Sequence, residues 1–307
     1  MNKSKMNKSK IIAHFGEAFF DKVVACLDRY GKAWGLSHFE QVDYYSVNCL
    51  FTCISAVHGL CVLKINPDAG ARENMTEYNM LKEFNGNGLC KVYEADTAHG
   101  VLLIERIVSG VPLRNEPDLD TRLNVFCQLF EGLHRPPSQK GMYPTYMSWV
   151  SRIAAYMRTR EDYRDLCEKM TRAETICRQL WGKYSGEMLL HGDLHHDNIL
   201  QGAQGYRIID PKGVVGDRVF DIPRFMLNEE DLDKGGKFEY IVCKFAEKLG
   251  VPEGDIRRLF YVEMCMGNCW CVESGDDVDW EDVLFAERML QVQNLKGGFL
   301  NEPGEKI

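Results

Sequence analysis

A change in hydrophobic pattern near residue 110 constrains the fold of this 307-residue chain more than any other feature. Before it, strand-forming residues dominate short segments at 42–47, 50–57, 60–65, 90–94 and 101–107. After it, from Leu119 onwards, most segments have the 3.6-residue period of helices. The pattern predicts an α+β, two-lobed protein, with a small β-rich lobe of residues 12–108 and a larger helical lobe of residues 109–307.

Helices and turns interrupt the β-rich lobe at recognisable signals. A helix beginning near Phe15 is expected to end by Gly35, and a second helix is predicted over residues 72–84. His58-Gly59 is a two-residue turn that favours a hairpin between strands 50–57 and 60–65. In the helical lobe, residues 188–209 are the exception, because they predict short strands around a polar loop.

The first eleven residues are expected to be a disordered or tag-like segment outside the fold. They are mostly polar, contain Met-Asn-Lys-Ser-Lys twice in tandem and lack the apolar core of a signal peptide or membrane span. The twelve cysteines lie scattered in apolar segments, which indicates buried side chains in a reducing compartment. We therefore expect a cytoplasmic protein without a membrane partner.

The charge balance excludes nucleic acid as the main partner. The formal net charge is −8, from 37 basic and 45 acidic side chains, whereas phosphate neutralisation needs a basic face. Mild acidity suits a cationic small molecule, but it is more often an ordinary solution to solubility. A monomer or a weak dimer is expected.

The most informative segment runs from Leu189 to Leu200, where a polar loop lies between two apolar strands. It contains Asp193 and Asn198, and a second strand downstream ends in Asp210. Phosphoryl transfer needs one carboxylate for the proton of the attacking hydroxyl, and another carboxylate with an amide oxygen to hold Mg²⁺ on the phosphates. The Asp193–Asn198 interval equals that of the catalytic loop of protein kinases. The segment therefore predicts a kinase centred on Asp193.

The histidines of this loop leave a second chemistry open. His191, His195 and His196 are residue types that bind zinc, and Asp193 or Asp210 would assist in a metal hydrolase. The preferred interpretation gives His191 a supporting role, in which its hydrogen bonds hold the loop in shape.

A kinase also needs a cation on the nucleotide phosphates, and Lys64 is the candidate. It lies between aliphatic neighbours on a predicted central strand, where a lysine needs a counter-charge. Glu73 and Glu77 on the next helix both qualify, and Glu77 is preferred because it falls in mid-helix. The strand that ends near Glu105 and Ile107 would offer backbone groups to adenine. The glycine-rich loop of protein kinases is missing from residues 46–49.

These motifs resemble a known family. The segment 191–198, His-Gly-Asp-Leu-His-His-Asp-Asn, followed by Ile-Asp-Pro at 209–211, is similar to the aminoglycoside phosphotransferase superfamily, relatives of choline kinase and of protein kinases. The extension through Asp-Pro-Lys-Gly to Asp221 resembles its streptomycin 6-kinase and hydroxyurea phosphotransferase branch, as do segments 102–106 and 268–277. The resemblance implies a protein-kinase-like fold, ATP and Mg²⁺ as cofactors, and inactivation of an aminoglycoside antibiotic.

The resemblance also implies roles for individual residues. Asp193 would be catalytic, Asn198 and Asp210 would hold Mg²⁺, and Asp221 would brace the catalytic loop. Lys64, paired with Glu77, would bind the ATP phosphates, and the backbone of Glu105 and Ile107 would contact adenine. The acceptor would contact Asp193, Asp197, Lys212 and an acidic turn that contains Glu273, Asp276 and Asp277.

The acceptor is the least constrained part of this prediction. Streptomycin is favoured because carboxylates pair bidentately with its guanidinium groups. The acidic turn is equally typical of a helix start, and Trp270 and Trp280 suit either stacking or a core. Hydroxyurea, a sugar or an amino alcohol are alternative acceptors, and a nucleotide-binding pseudokinase sensor is an alternative to an enzyme. The choice between ATP and GTP stays open.

Overall fold

A computed structural model describes residues 6–42, 47–68 and 72–297, and these divide into two compact units. The first unit comprises the chain up to Asn115 together with Asp197–Gly213, and the second comprises Glu116–His196 and the chain from Val214 onwards. The helices are α1 Lys8–Phe15, α2 Glu17–Ala33, α3 Arg72–Phe84, α4 Leu119–Leu133, α5 Tyr146–Met157, α6 Arg164–Lys183, α7 Ile222–Leu227, α8 Lys237–Leu249, α9 Glu253–Ser274 and α10 Trp280–Gly297. The strands are β1 Leu36–Gln41, β2 Cys49–Ser55, β3 Gly59–Ile65, β4 Val92–Asp96, β5 Val101–Glu105, β6 Ser109–Pro112, β7 Met188–Leu190, β8 Ile199–Gly202, β9 Gly205–Ile208 and β10 Val214–Gly216.

The first unit is built on an antiparallel sheet in the order β1-β2-β3-β5-β4. Side chains alternate between its faces, so that Phe51 and Leu63 pack with Val23 of α2 in a continuous apolar core. Lys64, next to Leu63, therefore points to the opposite face. A smaller antiparallel sheet, β6-β8-β9, belongs to the same unit.

The second unit is mainly helical. Helix α9 is buried along most of its length, because apolar residues occupy nearly all sides of it. Phe126 of α4 packs against Phe225 and Phe245, with ring centroids 4.4 and 5.2 Å away. Strands β7 and β10 form a short antiparallel pair in which Leu190 lies opposite Val214. No helix within the described residues is long and apolar enough to span a bilayer.

The expectation of a disordered segment over residues 1–11 is wrong for its last part. Residues 1–5 lie outside the described chain, but α1 begins at Lys8, where the Asn7 side chain caps it by accepting the N–H of Lys10 at 3.0 Å. Ile11 is 1% exposed and joins the core of the first unit. Met6, Ile12 and Phe15 pack against the same core, so a few apolar residues near a polar stretch anchor the helix, and composition alone gives them little weight.

Two further differences concern the predicted boundaries. The first strand lies at Leu36–Gln41 rather than at 42–47, of which residues 43–46 fall outside the described chain. It is an edge strand whose alternate residues face solvent, so its hydrophobic signal is weak. The first unit extends to Asn115 and takes in Asp197–Gly213, instead of ending at residue 108, because β6 pairs with β8.

Candidate active site

The first unit encloses the Lys64 side chain between two carboxylates. Nζ lies 2.8 Å from both Oε1 and Oε2 of Glu77 and forms an ion pair with Asp210. Burial opposes the charge on Lys64, but Asp210 and Glu77 raise its pKa above the ordinary value. Lys64 is therefore a permanently charged group, and the predicted pairing with Glu77 is present in the structure.

The chain after Asp210 is anchored to α3, which also carries Glu77. The Thr76 hydroxyl donates to the backbone carbonyl of Lys212 at 2.6 Å, and a Cβ at Gly213 would lie 2.8 Å from the carbonyl oxygen of Thr76. Only glycine fits this approach, where φ is +68°. The Lys212 ammonium lies 3.4 Å from Asp210 Oδ2. Helix α3 thus fixes both the partner of Lys64 and the loop that carries Asp210.

Asn198 directly precedes β8 and Asp210 follows β9, so both lie at the open end of the β8–β9 hairpin. The carbonyl of Asn198 accepts the N–H of Ile209 at 2.9 Å, and in β8 and β9 Ile199 lies opposite Ile208. An amide oxygen and a carboxylate on this hairpin match the donors that Mg²⁺ prefers, since it takes one or two protein oxygens together with phosphates and waters. The donor set fits the predicted metal.

Asp197 has a partner other than the predicted acceptor. Its two carboxylate oxygens accept from Nε and Nη2 of Arg114 at 2.8 and 2.7 Å. Arg114 follows β6 in a short 3₁₀ turn, Leu113–Asn115, so this pair holds the end of β6 beside the residue that precedes Asn198. The geometry favours a structural role for Asp197.

The end of β5 provides part of the backbone predicted to face adenine. The N–H of Glu105 donates to the carbonyl of Lys91 at 2.8 Å, and its carboxylate accepts the N–H of Lys91 at 3.0 Å. The predicted contacts with adenine are therefore limited to the backbone carbonyl of Glu105 and the backbone of Ile107. On the sheet face that carries Lys64, Ile54 and Leu60 are 40% and 46% exposed, which suits a planar apolar ligand.

In the second unit, Asp221 holds the backbone that leads to Asp193. Its carboxylate accepts the N–H groups of His191 and Gly192, each at 2.8 Å, and lies 3.0 Å from His134 Nε2. Burial opposes ionisation, but these hydrogen bonds, led by that of His134, lower the pKa of Asp221 below its ordinary value. The N–H of Asp193 donates to His191 Nδ1 at 3.1 Å.

Glycine is the only residue type that fits at position 192, between His191 and Asp193. Its φ is +77°, and a Cβ would lie 2.8 Å from the Trp149 ring. The three loop histidines have separate surroundings: His191 accepts from Asp193, His196 Nε2 lies 2.9 Å from Glu229, and His195 Nε2 lies 3.8 Å from Asp193 Oδ1. This arrangement does not support the zinc-hydrolase alternative, which needs convergent histidines.

A charged residue that the sequence analysis missed lies beside Asp193. Arg224 Nε is 3.5 Å from Asp193 Oδ1, and Arg224 Nη2 is 2.5 Å from Glu263 Oε1. Arg224 comes three residues after Asp221, so a short helix beginning there would place both on one side. That spacing is the only signal the sequence offers, because Glu263 lies much further along the chain.

The acidic turn after α9 divides into paired and exposed residues. Glu273 forms a bidentate ion pair with Arg152, at 2.6 and 2.9 Å. Asp276 and Asp277 are exposed, next to Gly275, which caps α9 with φ +86°. The charge of Glu273 is thus largely compensated, and the predicted acceptor contacts rest on Asp276 and Asp277.

Comparison with known proteins identifies the family. Residues 50–275 match the aminoglycoside/hydroxyurea antibiotic resistance kinase family. A streptomycin 3''-kinase of Klebsiella pneumoniae is 28% identical over 178 residues, which are 57% of this chain and 64% of that protein. A streptomycin 6-kinase of Streptomyces griseus is 24% identical over 204 residues, which are 64% of this chain and 66% of that protein. The chain thus spans just under two thirds of the length of these relatives.

A solved structure agrees at the level of the fold. A thermostable mutant of aminoglycoside phosphotransferase APH(4)-Ia, in ternary complex with ADP and hygromycin B, superimposes with a TM-score of 0.61 at 15% identity. The match covers 88% of this chain and 98% of that one. The predicted protein-kinase-like α+β fold and the predicted branch are both confirmed. The chain belongs to the aminoglycoside/hydroxyurea antibiotic resistance kinase family.

Proposed function

From this membership, we propose that the protein is an ATP-dependent phosphotransferase that phosphorylates a hydroxyl group of an aminoglycoside, with streptomycin as the first candidate. The observation that carries the proposal is the charged cluster of Lys64, Glu77 and Asp210. Asn198 lies at the same open end of the β8–β9 hairpin as Asp210. A buried lysine held by a glutamate, next to oxygen donors for a metal, is the arrangement that phosphoryl transfer requires.

The side chains divide the reaction into a few tasks. Lys64, oriented by Glu77, would bind the ATP phosphates, and the apolar sheet face would contact adenine. Mg²⁺, held by Asn198 and Asp210, would neutralise charge on the phosphates when bound. Asp193 would accept the proton of the acceptor hydroxyl. As the acceptor oxygen bonds to the γ-phosphorus, the bond to the bridging oxygen breaks and ADP leaves.

The choice of acceptor draws on different support. Both curated relatives described above act on streptomycin by name, and the exposed carboxylates of Asp276 and Asp277 suit a polycation. The family description also names hydroxyurea, which makes hydroxyurea the second candidate. A sugar or an amino alcohol remain further alternatives.

The test is a panel of acceptors with purified protein, Mg²⁺ and ATP. We expect streptomycin to gain the mass of one phosphoryl group. We expect kcat of the Asp193→Asn variant to fall roughly 10²-fold to 10⁴-fold, the range typical of a general base. Unchanged turnover in Asp193→Asn would refute the role of Asp193. If hydroxyurea or an amino alcohol is phosphorylated instead of streptomycin, the proposed kinase activity is correct and the proposed acceptor is wrong.

Two further results would change the proposal more deeply. If ATP binds but no acceptor is phosphorylated, the protein is a nucleotide-binding sensor. Repeating the panel with GTP decides the nucleotide. A growth comparison in streptomycin, with the wild-type gene and the Asp193→Asn gene, tests whether antibiotic inactivation is the biological role.

A further inference from the structure

Helix α7 reaches the Asp193 loop through two side chains. Asp221, directly before the helix, accepts the N–H groups of His191 and Gly192. Arg224, three residues later and therefore on the same side of the turn, brings Nε to 3.5 Å from Asp193 Oδ1. One side chain fixes the backbone of the loop, and the other lies against its carboxylate.

The Arg224 guanidinium is itself anchored by a buried pair. Its Nη2 lies 2.5 Å from Oε1 of Glu263, a residue only 2% exposed. The hydroxyl of Tyr146, which is also buried, donates to the other oxygen of Glu263. Because every member has a partner, this buried ion pair avoids the usual penalty of an uncompensated charge.

Aromatic rings complete the surroundings of Arg224. Its Cζ lies 5.6 Å from the centroid of the Trp270 ring, and Trp270 meets Trp149 edge-on at 5.9 Å. Glu263 and Trp270 are seven residues apart on α9, so they share one face of it, as Tyr146 and Trp149 do on α5. Two helices thus hold the guanidinium at a fixed place beside Asp193.

The geometry points to Arg224 as a positioning residue, which holds the Asp193 carboxylate in the orientation that receives the proton of the acceptor hydroxyl. This inference rests on the proposed function, because it assumes that Asp193 is the proton acceptor. A guanidinium stays charged at all working pH values, so its attraction for a neighbouring carboxylate is always present. The 3.5 Å separation exceeds a normal hydrogen bond, so Arg224 acts mainly through its charge.

Other charged or titratable groups also face Asp193. His195 Nε2 lies 3.8 Å from it, and His191 accepts its backbone N–H. Glu263 is a second carboxyl group near Asp193, and burial raises the pKa of Glu263 above its ordinary value. The Arg224 charge is the one that balances Glu263 and Asp193 together.

The direct test compares crystal structures of the wild-type protein and of Arg224→Gln. We expect the Asp193 side chain to leave its wild-type orientation, or to occupy several, in Arg224→Gln and to keep the wild-type orientation in Arg224→Lys. A single, unchanged Asp193 orientation in Arg224→Gln would overturn the inference, whether or not any acceptor is phosphorylated.

A kinetic experiment separates positioning from folding. In Arg224→Gln we expect kcat to fall roughly 10-fold to 100-fold while KM for ATP stays constant, and we expect Arg224→Lys to retain most of kcat. The double variant Arg224→Gln/Glu263→Gln removes both buried charges, so it should recover thermal stability without recovering kcat. Recovery of kcat together with stability would show that Arg224 serves the fold alone.

The proposed function and this inference fail in different ways. If the wild-type protein phosphorylates no acceptor, the proposed function fails, while the crystal structures still decide the influence of Arg224 on the Asp193 side chain. If transfer is observed and the Asp193 orientation does not change in Arg224→Gln, the function stands and the inference fails.

Discussion

Lys64 in the first unit and Arg224 in the second have similar partners but hold them differently. Each contacts one deeply buried glutamate, Glu77 or Glu263, and one more exposed aspartate, Asp210 or Asp193. The Lys64 ammonium contacts both of its partners directly, whereas Arg224 grips Glu263 and stays 3.5 Å from Asp193. A compact ammonium can exchange one oxygen partner for another, and a guanidinium fork is fixed by its geometry.

This difference matches the tasks proposed for the two aspartates. Asp210 is neutralised by Lys64 in the structure, and a phosphate with its metal would replace that contact. Asp193 keeps its distance from Arg224, which suits a group that must receive a proton without losing its charge partner. Variants that remove the cation, its anchoring carboxylate or one member of a neighbouring ion pair test this difference.

The largest effect is expected from Lys64→Met. It leaves Glu77 and Asp210 without their cation, so we expect a loss of about 3–5 kcal/mol in the free energy of unfolding, together with loss of ATP-dependent activity. Urea denaturation measures the first and ADP release the second. The matched variant Lys64→Met/Glu77→Gln should recover part of the stability and none of the activity. Equal stabilities of the wild type and Lys64→Met would show that the cluster is not energetically coupled.

A second prediction concerns acid pH and the second unit. Glu229 is buried between His196 and Arg122, and although burial opposes ionisation, His196 and Arg122 lower its pKa from 4.5 to about 2. A folded-state pKa below the unfolded value contributes stability that is present above about pH 4.5 and lost as the pH falls towards 2. The loss amounts to about 3 kcal/mol.

Glu229→Gln tests this dependence. The variant should be less stable than the wild type by about 3 kcal/mol at pH 7 and by only about 1 kcal/mol at pH 3, where the wild-type carboxylate has lost more than half of its advantage. Urea unfolding at the two pH values measures the difference. A gap between the two proteins that is the same at both pH values would contradict the prediction. Since His196 lies in the Asp193 loop, kcat at pH 7 should fall with stability.

The smallest effect is expected for Asp197→Asn. Its ion pair with Arg114 is partly exposed, with the two side chains 21% and 30% accessible, so we expect a loss of about 1 kcal/mol. KM for the acceptor should change less than about twofold, because the structure gives Asp197 a protein partner. Thermal melting and steady-state kinetics provide both values. A large rise in KM with unchanged stability would restore the substrate contact predicted from sequence.

Local signals in the sequence predicted much of the fold. Helix α3 has the predicted bounds, and the strands of residues 188–209 are present. The hairpin between β2 and β3 is present too, but its loop is residues 56–58 rather than the predicted His58-Gly59, because Gly59 already pairs with Ser55. Strong periodicity and glycine-containing turns act over short distances, so these elements needed no knowledge of tertiary structure. Edge strand β1 and the pairing of β6 with β8 were missed, because one has a weak pattern and the other joins residues far apart in sequence.

Residues of the candidate site were likewise predictable where a local element carries them. Lys64, Glu77, Asn198 and Asp210 could be chosen because each is a charged or amide side chain at the end or centre of a predicted element. Glu263 and Tyr146 could not, because α9 and α5 bring them to Arg224 only after packing. The pairing of Asp197 with Arg114 was likewise hidden, since the sequence offers no link between them.

The hydrogen bonds of Asp221 to the loop have a consequence for synthesis of the chain. The loop residue His191 leaves the ribosome 30 residues before the carboxylate that holds its backbone. The first unit has the same dependence, because β6 has to wait for β8 and β9 to complete its sheet. The proposed catalytic groups of the first unit therefore cannot take their final shape until the β8–β9 hairpin has been translated. Those of the second unit cannot do so until helix α7 has been translated.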